Sequence, residues 1–171
     1  MLDLQEQEDF DQEEDTQKNQ FLTFWVGEEA YGIEIRHVTE IISILKITPV
    51  PQMPSYIMGI INLRGRIIPV MDMRLKFKME QIPYNERSCI IVVDMDKISI
   101  GLIVDSVAEV LSIAEDDIVP PPEFSKTGNR YMQGIGKVSD GVRLILDCDR
   151  LLSEEDKDEA LDLTLESEVC V

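Results

Sequence analysis

The sequence is short of most of what an active site is built from. It holds one histidine, His37, and one tryptophan in 171 residues. A single histidine excludes a multi-histidine metal centre. No Ser or Cys stands near His37 in sequence to suggest a triad, and beside Arg36 it reads as a surface residue. The nine glycines are dispersed through turns, so no phosphate-cradling loop is present. Cys89, Cys148 and Cys170 are odd in number and share no metal-ligand spacing. Cys89 and Cys148 lie inside apolar runs, where a thiol acts as a small core residue. A reducing cytoplasm is the default setting for such cysteines. Asp94-x-Asp96 looks like the opening of a calcium loop but lacks the glycine and terminal glutamate such a loop requires. These gaps argue against an enzyme, and no metal or cofactor is expected.

Long hydrophobic runs are missing as well. The start, Met1-Leu2-Asp3, is acidic and has none of the apolar core of a signal peptide. The longest uncharged stretch, Ile47–Leu63, has 17 residues and is broken by Pro49, Pro51 and Pro54. It is too short and too interrupted to span a bilayer, so no direct membrane insertion is expected. Bases are scarce: 16 Lys and Arg stand against 34 Asp and Glu, for a net charge of −18 and a pI near 4.3. That balance excludes a nucleic-acid binder, which places cations against phosphate. It also excludes docking on an anionic membrane surface.

The charge is localised. Residues 1–19 carry eight acids and one base, net −7, and residues 153–171 do the same. The body between them is nearly balanced. Like-charge runs with few aromatics bury too little surface to offset their ordering entropy. Both ends are therefore expected to be flexible acidic tails, with a short helix around Glu154–Leu165.

The body is rich in Ile and Val. Phe21–Val26, Ala30–Ile35, Ile57–Asn62, Ile67–Met71, Cys89–Asp94, Ile98–Val104, Met132–Gly136 and Val142–Leu146 read as short strands. Met73–Phe77 and Asp149–Leu152 read as short helices. The sequence also repeats itself. Tyr56-x-x-Gly59-Ile60 returns 75 positions later as Tyr131-x-x-Gly134-Ile135, and Pro69–Asp72 returns as Leu144–Asp147. Gly32 with Val38-x-Glu40-Ile41-Ile42 returns 69 positions later as Gly101 with Val107-x-Glu109-Val110-Leu111. Gly65 and Gly141 are 76 apart, a slip of one residue in a hairpin. The expected architecture is mainly β: two similar small barrels, residues 20–87 and 88–152, packed together and sharing apolar surface. Pro69 lacks a ladder donor, which points to an edge or bulged strand there.

One constellation stands out. Arg64 and Arg66 flank Gly65 at a hairpin tip, and Glu40 lies among aliphatics in Val38–Ile42. The residues alone leave two readings open. One is a solvated turn with a surface glutamate. The other is a recognition surface where aliphatic area is set in register by one Arg and one Glu.

The segment Gly59-Ile-Ile-Asn62-Leu63-Arg64-Gly65-x-Ile67-Ile68-Pro69-Val70-Met71-Asp72-Met73-Arg74-x-Lys76-Phe77 resembles the most characteristic stretch of the CheW-like family of chemotaxis coupling proteins. Tyr31–Ile41, Gly101–Val107 and Tyr131–Gly136 match the family too, so the resemblance covers Phe21–Leu152. It implies two SH3-like five-stranded barrels side by side, in agreement with the repeat. It implies a non-catalytic adaptor in the cytoplasm, recruited to receptor arrays at the inner face of the membrane. Its partners would be the cytoplasmic tip of methyl-accepting chemoreceptors and the CheW-like regulatory domain of the histidine kinase CheA. The family's receptor contacts carry over to Val38, Glu40, Gly59 and Arg64, with Asn62 and Ile67 flanking them. Four alternatives carry less weight. A receiver-bearing CheV-like adaptor would require more than the 19 residues after Leu152. The others are an excised kinase regulatory domain, an adaptor of a non-motility chemosensory pathway and a small-molecule-binding barrel.

Overall fold

The computed structural model describes residues 18–95, 98–121 and 131–151. The acidic tails beyond Lys18 and Leu151, the helix expected at Glu154–Leu165 and the Asp96 position lie outside the described residues.

Eleven strands are described: β1 (Gln20–Val26), β2 (Glu29–Glu34), β3 (Val38–Ser43), β4 (Ile57–Leu63), β5 (Arg66–Asp72), β6 (Cys89–Met95), β7 (Ile98–Val104), β8 (Ser106–Ser112), β9 (Ile118–Val119), β10 (Met132–Val138) and β11 (Gly141–Leu146). They form a six-stranded sheet in the order β8-β1-β2-β11-β10-β9 and a five-stranded sheet in the order β3-β6-β7-β5-β4. The fold is mainly β, as expected, with six and five strands in place of five and five. The sixth strand, β9, has a reduced counterpart: Thr48 makes an isolated bridge to Ile60 beyond β4.

The two sheets match residue for residue. Thr23 faces Gly32 as Val92 faces Gly101, and Gly59 faces Val70 as Gly134 faces Ile145. The parallel pairings agree too: Gly32 meets Ile145 and Gly101 meets Val70. These are the 69- and 75-residue offsets of the sequence repeat.

The membership of the sheets, however, does not follow the division at residue 87. Hairpin β1–β2 of the first half completes the sheet of β8–β11, and hairpin β6–β7 of the second half completes the sheet of β3–β5. Each repeat lends its first hairpin to the other. The expected boundary fails because a repeat in sequence records ancestry, while strand pairing joins whichever edges meet in space.

Period-two alternation explains the cores. On β6, Ile90 and Val92 face the interior of the five-stranded sheet, while Ile91, Val93 and Met95 face the six-stranded one. On β1, Leu22, Phe24 and Val26 face back across the same gap. Three apolar clusters result. The largest lies between the sheets and also takes Met71, Met73, Leu102, Leu146 and Leu151. The second, with Ile61, Leu63, Ile68 and Val70, fills the five-stranded sheet, and a small third, Phe21, Ile113 and Ile145, fills the six-stranded one.

Polar contacts also cross between sheets. Arg74, on the short helix Met73–Lys76 that follows β5, forks onto Asp105 with bonds of 2.6–3.1 Å. Asp105 also accepts the Gly27 N–H of the β1–β2 turn at 2.8 Å. Burial works to raise the Asp105 pKa, but the bonds from Arg74 and Gly27 outweigh it and hold the carboxyl below its usual range. Lys76, only 9% exposed, sets its ammonium 4.0 Å from the ring centre of Tyr56 and 4.7 Å from that of Tyr131. Those tyrosines are the repeat-related pair.

Two sequence expectations change. β5 is flanked by β7 and β4, so it is not an edge strand. Pro69 is accommodated because the parallel ladder with β7 begins one residue later, at Val70. β3 and β8 were not among the expected strands. They are the matching outer strands, and their mix of Glu with half-exposed aliphatics hides the alternation.

Candidate receptor-binding site

The β4–β5 hairpin closes with Leu63 opposite Arg66, leaving Arg64 and Gly65 as a two-residue loop. Both have positive φ, +52° and +89°. That is the primed-turn geometry suited to the twist of a hairpin, and it is costly for an arginine. The Asn62 side-chain oxygen holds the loop by accepting the Gly65 N–H at 2.8 Å. The β10–β11 loop, Ser139-Asp140, has the same length, and the positive φ moves to Gly141, the first strand residue. This displaced glycine is the one-residue slip of the repeat.

The hairpin's loop points Arg64 at β3. A bulge between Val38 and Glu40 shifts the register against β6, and the Thr39 hydroxyl donates to the Val92 carbonyl at 2.9 Å. The shift turns Val38 toward the inter-sheet core. Glu40 takes the same side as Ile42, which packs on the core of the five-stranded sheet. Arg64 Nη2 donates to Glu40 Oε2. β3 and β4 are the two outermost strands of their sheet, so this ion pair closes the seam where the sheet curls on itself. Its arginine side chain is 70% exposed and its glutamate 30%, leaving the rest of the guanidinium fork open to a partner.

The remaining candidates take different places. Asn62 and Ile67 form a cross-strand pair on the outer face beneath the loop, with Asn62 exposed and Ile67 half-buried. Gly59 is buried, with φ +145°, and a Cβ there would lie 2.1 Å from the Thr48 carbonyl oxygen. Its lack of a side chain lets the Thr48 segment bridge onto β4, a backbone role distinct from surface contact. The structure thus brings Glu40, Arg64, Asn62 and Ile67 around one hairpin tip. Val38 and Gly59 lie deeper.

Ile41 and Leu45 stand exposed beside Glu40 and were not singled out from the sequence. The repeat carried a signal: Ile41 matches Val110, which is also exposed, and aliphatics kept on two outer strands suit contact with other proteins.

Burial, reinforced by Asp147 and Asp149, pushes the Cys148 thiol up to about 12, so it stays protonated and unreactive at neutral pH. Burial and the bond to Asp72 push the Tyr84 phenol upward as well. No group of three or more His, Cys, Asp or Glu among the described residues is placed to hold a metal ion. No helix there is long and apolar enough to cross a membrane.

Residues 20–156 match the family model described as CheW-like domain. The chain is 36% identical to a chemotaxis protein CheW of Klebsiella aerogenes, over 83% of this chain and 86% of the relative. It is 33% identical to one of Helicobacter pylori, over 84% and 87%. It also resembles the crystal structure of the scaffolding protein TtCheW from Thermoanaerobacter tengcongensis. The TM-score is 0.75 at 36% identity, covering 81% of this chain and 94% of that one.

Proposed function

The chain belongs to the CheW family of non-catalytic chemotaxis scaffolds, and from that premise we propose that it couples methyl-accepting chemoreceptors to the histidine kinase CheA. The receptor's cytoplasmic tip docks at the seam of the five-stranded sheet, and the kinase's CheW-like regulatory domain docks elsewhere. The protein works in the cytoplasm, at receptor arrays on the inner face of the membrane. It transmits by holding geometry: a rigid body bound to both partners passes a small movement of the tip to the kinase. Coupling of about 1–3 kcal/mol suffices for such control.

The observation that carries this reading is the half-open Glu40–Arg64 pair. An exposed ion pair adds little to folding, about 0–1 kcal/mol. At a desolvated interface, removing one charged partner costs about 2–5 kcal/mol. Arg64→Ala is therefore expected to weaken binding of a receptor-tip fragment at least tenfold while leaving thermal unfolding unchanged. The double exchange Glu40→Arg with Arg64→Glu should recover part of the loss. A folded Arg64→Ala protein that binds the tip as tightly as the parent would refute the assignment.

A further inference from the structure

Two of the places where the chain crosses between the sheets are made equivalent by the repeat. One runs from β2 to β3 through Ile35–His37, the other from β7 to β8 through Asp105. β11 lies parallel to β2 as β5 lies parallel to β7. Each crossing therefore leaves beside the short helix that follows its parallel neighbour, Cys148–Leu151 for the first and Met73–Lys76 for the second. The 69- and 75-residue offsets match Asp105 with Arg36 and Arg74 with Asp149. Each crossing is thus provided with one acid and one base, in reversed order.

The two crossings use those charges differently. At β7–β8 the fork of Arg74 on Asp105 is largely shielded from water, with side chains 18% and 23% exposed. Asp105 also accepts the Gly27 N–H, and its own N–H donates to the Trp25 carbonyl at 3.0 Å. Arg74 Nη1 reaches the Glu80 carbonyl at 3.3 Å. This node gathers the helix after β5, the crossing, the β1–β2 turn and the connector between the repeats. At β2–β3, Arg36 is 66% exposed and turns back to Glu34, two residues away. Glu34 stands 3.3 Å from His37 Nε2 and accepts from Gln133 of β10 at 3.2 Å. Asp149 is exposed, and Arg150 beside it pairs with Asp147. One crossing is locked to both sheets and the other is open. β3, which carries Val38 and Glu40, follows the open one directly.

Apolar attraction between the sheets is non-directional, and packed layers still slide by small shears. A guanidinium fork on a carboxylate is planar and directional, so it fixes an angle that the core alone leaves soft. We propose that Arg74 and Asp105 are positioning residues for coupling. Their fork locks the two sheets at one angle, so that movement of a receptor tip at the β3–β4 seam passes through the whole body and is not absorbed at the open β2–β3 crossing. The inference rests on the adaptor reading. It adds that binding and transmission depend on different residues: neither Arg74 nor Asp105 belongs to the hairpin tip around Arg64, so breaking the fork spares binding and loses control of the kinase.

Residual dipolar couplings of the backbone amides read the angle in the free full chain. In the parent, both sheets should fit one alignment tensor. Asp105→Asn, which removes the charge from the fork, should require two, and Arg36→Gln at the open crossing should still fit one. With receptor tips and the kinase CheA, Asp105→Asn should bind each partner within twofold of the parent. It should lower the change in kinase rate by about fivefold or more, the low end of an allosteric coupling. Arg74→Lys, which keeps the charge and loses the fork, serves if the Asn variant unfolds. The exchange Arg74→Asp with Asp105→Arg, the charge order of the other crossing, should restore part of both readouts. A folded variant whose sheets share one tensor, or that keeps the parent's effect on the kinase, would overturn the lock and leave the adaptor reading intact. An equal loss at Arg36→Gln, or a matching loss of partner binding, would do the same. A parent chain that binds neither partner would overturn the adaptor reading and the coupling role with it.

Discussion

The two sheets share a frame and differ in what fills it. In the five-stranded sheet the interior positions are Ile61, Ile68, Ile90 and Val92, all buried aliphatics. Their counterparts in the six-stranded sheet are Gly136, Arg143, Phe21 and Thr23. Thr23 is buried, and its hydroxyl donates to the Glu109 carbonyl at 2.7 Å and accepts the Glu109 N–H at 3.1 Å. The seams differ as well. Where Glu40 meets Arg64, the other sheet has Glu109 and Ser139, which cannot form an ion pair. Duplication thus supplied two copies of one scaffold, and the side chains have since closed one seam with an ion pair and buried an arginine in the other sheet. An adaptor gains by this, because two unlike surfaces on one stiff body can hold two unlike partners.

The largest test attacks the exchange of hairpins. If each sheet requires strands from both repeats, fragments 1–87 and 88–171 will each fail to give dispersed amide NMR spectra, and mixing them will restore the spectrum of the intact chain. Two fragments that fold separately would break the comparison at its root.

Next comes the pair of repeat-related glycines. Gly59→Ala puts a Cβ 2.1 Å from backbone oxygen at a φ of +145°, and should destabilise by roughly 2–4 kcal/mol in denaturant unfolding. At Gly134 the nearest atoms are the Ile118 Cγ2 at 2.8 Å and the Val119 carbonyl oxygen at 2.9 Å. Gly134→Ala should cost less, because its φ is not positive and its nearest backbone oxygen stands at 2.9 Å rather than 2.1 Å. Equal losses would show that the two bridges carry equal strain.

A smaller effect is expected at Lys76, whose repeat-related position is Leu151 in the inter-sheet core. Lys76→Met keeps the volume and removes the charge between the two tyrosines, a loss of about 1–2 kcal/mol. Tyr131→Phe, which keeps the ring face, should lose much less than Tyr131→Leu. The smallest effect is the pH dependence at Asp105. Its carboxyl titrates below the usual range when folded. Its contribution is therefore complete above about pH 3.9, the ordinary carboxylate value, and is lost as pH falls through the lower, folded value. Asp105→Asn should flatten that part of the stability–pH curve, measured by urea unfolding between pH 2 and pH 5.

Much of this was legible in the residues. Runs such as Cys89–Asp94 and Ile98–Val104 have the β-branched content and turn boundaries of strands, and the repeat fixed which strands correspond. The hairpin tip and Glu40 were visible as charges set among aliphatics. The hairpin exchange was not legible, because hydrophobic alternation says which face of a strand is buried and not which neighbour it pairs with. The surroundings of Lys76 and Arg143 were hidden for a related reason. Tyr56 and Tyr131, which hold Lys76, lie 75 residues apart and meet only in the folded register, and burial of Arg143 depends on neighbouring strands that its own segment does not reveal.

The most direct test of the account is co-sedimentation of the kinase CheA with assembled receptor signalling tips, with and without this chain. The account predicts that the kinase pellets with the tips, and its rate changes, only when the chain is present, and that Arg64→Ala abolishes both effects. Kinase recovery in the pellet that is no greater with the chain than without it would contradict it.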